Sequence, residues 1–403
     1  MLFNPTRHEP LQAIAWDAAR VRDAIVQIAR DTEAQATCEG WWPPHPRDLE
    51  AGDDPGRPFA PLNHGAVGVS WGLHHLQALG AVTLARDYLG RADELLALNQ
   101  AALGGRAEAE RASFLMGETP IRLWTFGARP DAATADRLAE LIAGNIDHPA
   151  RELMWGSPGT LLAALFLHER SGQARWADLF RASAARLWSQ LEWSDEYGCH
   201  YWTQDLYGQK TNYIDATHGF VSAAPALIRG RTLLGDADWA AWAECIANTV
   251  SRTATWEAGM ANWRPWLIPH RPPPMLMQYC HGAPGFIVCL GGFPDDRLDP
   301  LLLAAGEAVW TAGPLTKGAN LCHGTGGNGF AFLKLFRRSG DERWLQRARA
   351  FAMHALMQSE AEARQVGHRR HSLWTGDIGL AIFLWHCLHG SADFPTLDVF
   401  YAD

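Results

Sequence analysis

The chain has 403 residues, 47% of them hydrophobic and 20% charged, which is ample material for a large buried core. Its formal charge of -9 excludes a general affinity for nucleic acid or anionic membrane, both of which need a basic surface. No stretch approaches the roughly twenty apolar residues that span a bilayer, and seven cysteines without a dense framework fit free thiols in a reducing compartment, read here as the cytoplasm.

The first residues, Met1 to Pro10, lack the basic region and long apolar run of a secretory signal. Beyond them, short glycine phrases recur, each followed by an apolar helical run: Gly65 to Gly68, Gly117 to Pro120, Gly156 to Gly159, Gly219 to Ser222, Gly282 to Gly285, Gly324 to Gly327 and Gly376 to Gly379. Between them lie amphipathic stretches with apolar positions three and four apart, such as Trp176, Leu179, Phe180, Leu187, Leu191 and Trp344, Ala348, Phe351, Ala355. The register repeats in three units. Gly159, Ser222 and Gly327 are each followed by a Gly thirteen residues on (Gly172, Gly235, Gly340) and a Trp seventeen on (Trp176, Trp239, Trp344). A Gly that closes one helix and a Trp that packs the first turn of the next describe a helical hairpin.

The runs after the glycine phrases, such as Thr160 to His168 and Phe330 to Phe336, are apolar nearly all round, as buried helices are, whereas the intervening ones are amphipathic. An inner ring inside an outer ring satisfies both patterns. The expected fold is all-α, a double-ring α/α toroid or barrel of about seven hairpins, with residues 1–403 as a single domain. Strand signals are weak, with little β-branched alternation and no βαβ rhythm. The Ser222 and Pro120 replacements predict two less regular hairpins, and the segments near 31–63 and 193–214 exceed ordinary connections, which leaves open whether they form lids or peptide-binding edges.

In a closed ring the glycine phrases gather at one end, where helix N-termini direct N–H groups and positive dipole ends at a shared cavity. That arrangement is expected to lower thiol pKa values there. For most of the seven the glycines serve close helix packing, and chemistry falls to the decorated phrases. Two are decorated alike: Cys280-His281-Gly282-Ala283-Pro284-Gly285 and Cys322-His323-Gly324-Thr325-Gly326-Gly327. Two cysteines and a histidine form a soft-donor set suited to zinc, and three protein ligands leave a fourth position open. A single cysteine near a helix start is usually packing; the duplicated phrase and adjacent His select the metal reading. Cys38, Cys199, Cys245, Cys289 and Cys387 show no such spacing.

These phrases, together with Tyr279 to Gly285, Leu321 to Asn328, Trp202 to Gly208, Thr217 to Phe220 and the ending Ser372 to Gly379, resemble the lanthionine synthetase C-like family, its stand-alone LanC-like members above all. The resemblance runs from about Gly65 to Cys387 and implies a double ring of seven hairpins. It implies that Cys280, Cys322 and His323 hold zinc (Zn2+), and that the reaction is addition of a thiol, from glutathione or a peptide cysteine, to dehydroalanine or dehydrobutyrine in a peptide or protein partner. Stand-alone relatives couple this to phosphate elimination. His218 matches the active-site histidine that protonates the enolate, His281 a position held by Tyr or His, and Glu152 an acidic position that holds an imidazole or accepts the incoming proton. Lys317 matches a basic position suited to a carboxylate or phosphate. Peptide-cyclising relatives carry an Arg shortly before the first zinc cysteine; here Pro274 to Tyr279 has none, and the nearest basic residue is Arg271.

Three other readings stay open. One is a dedicated lantibiotic peptide cyclase. Another is an α/α-barrel carbohydrate-active enzyme, in which some of the 19 tryptophans stack on sugars and Asp195, Glu196 and Asp205 supply carboxylates. The last is a peptide-binding ring braced by zinc, with His281 as a possible fourth ligand.

Overall fold

Each glycine phrase leads into a buried helix in the computed structural model, which describes residues 1–267 and 274–401 and, of Glu108 and Ala109, the backbone alone. The helices are α1 (Ala18–Ala34), α2 (Ala66–Ala78), α3 (Ala92–Leu103), α4 (Glu108–Arg111), α5 (Thr119–Ala128), α6 (Ala132–Asn145), α7 (Ser157–Ser171) and α8 (Ala174–Ser189). They continue as α9 (Ala224–Arg229), α10 (Arg231–Leu234), α11 (Asp236–Thr253), α12 (Ala283–Leu290), α13 (Asp299–Ala312), α14 (Thr325–Ser339), α15 (Glu342–Val366) and α16 (Asp377–His389). Among the described residues six short strands form antiparallel pairs: β1 (Glu192–Ser194) with β2 (Cys199–Tyr201), β3 (Gln204–Leu206) with β4 (Gln209–Thr211), and β5 (Ala254–Glu257) with β6 (Met260–Trp263).

The helices form the expected double ring. The inner set is α2, α5, α7, α9, α12, α14 and α16; α3, α6, α8, α11, α13 and α15 pack outside, and α1 lies against α16 as the outer member of the last pair. Burial follows the sequence pattern. All eight residues of α12 and Thr325 to Leu335 of α14 are buried, whereas α8 buries one stripe, Trp176, Ala177, Phe180, Ser183, Ala184 and Leu187. Each large apolar side chain removed from water stabilises the fold by about 1.5–3 kcal/mol, so the inner helices carry most of the core energy.

The repeated turns have matching bonds as well as matching words. Ser171 and Ser339 each bond back to the carbonyl four residues earlier (Leu167, Leu335) and accept the N–H two residues on (Gln173, Asp341). Gly172 and Gly340 then close α7 and α14 at φ of 65° and 69°, left-handed values that favour glycine. The third unit differs: Gly235, at φ of 80°, closes the short α10 and at once begins α11, and Trp239 is only half-buried. Its inner helix opens as a 3-10 turn, Phe220–Ala223, and breaks at Gly230, as the Ser222 replacement predicts. The Pro120 unit is regular, because Pro120 lies in the first turn of α5, where a missing N–H breaks no helical bond.

The segment near 193–214 is two β-hairpins, and β5 with β6 is a third that the weak strand signal did not disclose. Hairpins this short need little β patterning because neighbouring helices hold them; Thr249 of α11, for example, donates to the His200 carbonyl. The C-terminal segment that follows α16 packs into the ring. Phe394 packs on Tyr279, Phe330 and Trp374, and Phe400 packs on Trp71, Phe114 and Phe166.

Candidate metal centre

The loops ahead of the inner helices are stitched to one another by backbone hydrogen bonds. Cys280 N–H donates to the Cys322 carbonyl, Cys322 to Trp374, Trp374 to Asn63, Asn63 to Leu115, Leu115 to Met154, and Leu153 to Thr217. Between the loops of Thr217 and Cys280 a side-chain pair makes the joint: His281 Nδ1 donates to Asp215 Oδ2 at 2.6 Å. The last glycine of a phrase permits this packing. A Cβ on Gly327 would stand 1.9 Å from the Leu321 carbonyl oxygen, and one on Gly285 would stand 2.0 Å from that of Tyr279.

This ring of loops brings Cys280, Cys322 and His323 together, with one potential ligand atom from each inside a common span of 4.8 Å. Zinc bonds of about 2.3 Å to sulfur and about 2.0 Å to nitrogen fit within that span. Burial holds the His323 imidazole near pKa 4, so it is neutral with a lone pair to give. The expectation of a lowered thiol pKa is not met at Cys280. A hydrogen bond with Cys322 and burial push this thiol well above its ordinary value, and a cation in the cluster would reverse that preference. The donor set therefore fits a soft divalent metal. His281 lies outside the group, with Nδ1 committed to Asp215.

Two carboxylate–histidine pairs stand beside the cluster. Glu152, fully buried, accepts the N–H groups of Met154 and Trp155 and that of His218 Nδ1 at 3.0 Å. Asp215, also fully buried, accepts the N–H groups of Thr217 and His218 as well as that of His281. Burial pulls the His218 pKa down, but the Glu152 bond and charge, with Asp215 and Cys280, more than offset this and set it at about 9. The His281 pKa is likewise raised, with Asp215 overcoming burial. The two imidazole centroids are 6.1 Å apart, and the Tyr213 ring lies 5.7 Å from His218 and 6.3 Å from His281.

The remaining candidates are placed less centrally. Lys317 is exposed, near enough to His323 to lower its pKa, and its carbonyl accepts from Arg47. Asp195 and Glu196 are exposed in the β1–β2 turn, and Asp205 faces Lys210 in the β3–β4 register. Arg271 lies outside the described residues. Asp215 was missed by sequence reasoning although a signal was present: it stands four residues ahead of Gly219, as Glu152 does ahead of Gly156.

The family model described as Lanthionine synthetase C-like protein matches residues 62–399. Glutathione S-transferase LANCL1 of Danio rerio is 26% identical over 267 residues, 62% of this chain and 62% of that protein. LanC-like protein GCL1 of Arabidopsis thaliana is 34% identical over 139 residues, 32% of this chain and 31% of that protein. Both matches span less than two thirds of the relative's length. Among solved structures, nisin cyclase aligns over 91% of this chain and 93% of its own with a TM-score of 0.60 at 14% identity, a likeness of fold.

Proposed function

Because this chain belongs to the lanthionine synthetase C-like family, we propose that it is a zinc enzyme adding the thiol of glutathione to dehydroalanine or dehydrobutyrine residues of a peptide or protein. The observation that carries this reading is the grouping of Cys280, Cys322 and His323 next to a histidine pinned by a buried carboxylate. The name of the Danio rerio relative supports glutathione as the thiol donor.

Zinc held by Cys280, Cys322 and His323 would favour the thiolate of an incoming thiol at neutral pH and so supply the nucleophile. The sulfur–carbon bond forms at the alkene β-carbon, the π pair moves toward the α-carbon and carbonyl, and a proton must then reach the α-carbon. His218, protonated at neutral pH and oriented by Glu152, delivers it. The thiol's own proton leaves to solvent, so the addition balances. His281, held by Asp215, places a second positive charge beside the developing enolate. Lys317 is available to a substrate carboxylate.

The same reading takes residues 1–403 as one domain, since α1 and the C-terminal segment both pack into the ring. Among the described residues no helix is long and apolar enough to cross a membrane. The seven unpaired cysteines, with Cys38 exposed, favour the reducing cytoplasm. The test is metal analysis followed by incubation with glutathione and a dehydroalanine peptide, read by mass spectrometry. The peptide is expected to gain one glutathione through a thioether. A zinc-loaded protein that leaves both unchanged sinks the reading, and a peptide that instead closes on its own cysteine replaces the thiol donor.

A further inference from the structure

Gln278 stands four residues ahead of Gly282, the place that Glu152 and Asp215 hold in the two preceding loops of this kind. Its side chain is almost fully buried, at 4% exposure, and touches two partners at once. The amide nitrogen Nε2 lies 3.0 Å from Cys280 Sγ, and the amide oxygen Oε1 lies 3.0 Å from a guanidinium nitrogen of Arg7. A glutamine amide has a donor end and an acceptor end, whereas arginine has donors only. Arg7 therefore fixes which end faces the sulfur: the oxygen must turn to the guanidinium, so the N–H must turn to Cys280.

The N-terminal segment that carries Arg7 is itself fixed. The Arg7 carbonyl accepts the N–H of Thr316, Glu9 N–H donates to the Pro314 carbonyl, and Glu9 Oε1 meets His354 Nε2 at 2.7 Å. It runs along the segment that leads directly into Cys322 and His323. The Gln278 backbone is locked too, exchanging N–H and C=O bonds with His281 across Cys280.

We infer that Gln278 is a positioning residue of the metal centre, oriented by Arg7 so that it donates a hydrogen bond to the Cys280 sulfur and holds that sulfur as a permanent ligand. The inference rests on the zinc reading above. A donor aimed at a sulfur fixes the direction of its lone pairs, which suits Cys280, 7% exposed, as the fixed sulfur, while the thiol that reacts comes from outside. It also gives the first residues of the chain a part in the site.

The test compares wild type with Gln278→Met, which keeps the length and removes both polar ends, and with Arg7→Met, which frees the amide to turn over. Zinc affinity is measured against a chromophoric chelator, and cobalt(II) replaces zinc for spectroscopy. Loss of an outer partner of this kind weakens metal binding about 10- to 100-fold, the change expected for Gln278→Met, with a smaller change in the same direction for Arg7→Met. The sulfur-to-cobalt charge-transfer band should move to longer wavelength in Gln278→Met, because an unbonded sulfur holds its electrons less tightly. If both variants bind zinc like wild type and the band stays in place, the inference is wrong while the zinc reading stands. A wild type that binds neither metal overturns both. Should Gln278→Met fail to fold by circular dichroism, Arg7→Met decides on the same two readouts.

Discussion

Glu152 and Asp215 do the same work from the same place in neighbouring loops: each accepts two backbone N–H groups of its own loop region and the Nδ1–H of a histidine one loop further round the ring. Each carboxylate is thereby fixed before it meets its imidazole, and each imidazole is left with Nε2 as its remaining nitrogen. A repeat built for packing thus also carries two fixed carboxylate–histidine pairs.

The first prediction concerns pH. His218 has its pKa raised to about 9 from an ordinary 6.5, so its pair with Glu152 stabilises the fold fully below about pH 6.5 and loses that contribution as pH rises through about 9. Activity that needs the protonated ring should fall over the same upper range. Glu152→Gln keeps an acceptor but removes the charge, and should move the basic limb of the kcat/KM profile to lower pH. An unmoved limb would mean that another group delivers the proton. His218→Ala should lower the rate about 10²- to 10⁴-fold.

Cys322→Ala removes a proposed zinc ligand, as opposed to an outer partner, and should weaken zinc binding by more than the roughly 100-fold ceiling of outer-partner changes. Elemental analysis after gel filtration is expected to find about one zinc per wild-type chain and little in the variant. Stoichiometric zinc in Cys322→Ala would exclude Cys322 from the site.

The ring itself was legible because its signal is a repeat. Glycine phrases mark inner helix starts, and the Ser171-Gly172 and Ser339-Gly340 turns mark their ends. The grouping of Cys280, Cys322 and His323 was legible because two loops share the Cys-His-Gly wording. Arg7 was not, since no local pattern tells that an N-terminal residue crosses to a loop 271 positions away. Asp215 lies between these cases: its repeat position was readable, but a lone Asp before a Thr-His pair carries no spacing of its own. The β5–β6 hairpin gave no signal because its stability comes from α13 packed against β6.

Two glycine substitutions should separate close approach from backbone conformation. Gly327→Ala puts a methyl 1.9 Å from the Leu321 carbonyl oxygen in the loop that carries Cys322, where backbone on both sides prevents relief. It should cost about 3 kcal/mol or abolish folding, at the upper end of overpacking. Gly172→Ala meets nothing within 4 Å but must hold φ near 65°, at a cost of about 1–2 kcal/mol. Urea unfolding of both variants tests the order, and equal losses would contradict the close-approach argument.

The C-terminal segment packs against the residue that precedes a cysteine of the cluster. Phe394 is fully buried, with its ring centroid 4.8 Å from that of Tyr279 at an interplanar angle of 19°, and Tyr279 is the residue before Cys280. Phe400, further along, touches three inner-helix or loop aromatics, and its carbonyl accepts from Trp71 Nε1. Removing either ring leaves a cavity inside a ring of helices that cannot close inward without breaking the loop-to-loop bonds. Phe394→Ala and Phe400→Ala should therefore each cost about 3–5 kcal/mol in urea unfolding. Their effects on metal should differ. Phe394→Ala frees Tyr279 and should speed zinc loss to a chelator, whereas Phe400→Ala, packed away from Tyr279 on α2 and α7, should leave that rate nearly unchanged at a temperature where both remain folded. Equal zinc-release rates in the two variants would show that the packing under Tyr279 does not reach the metal ligands.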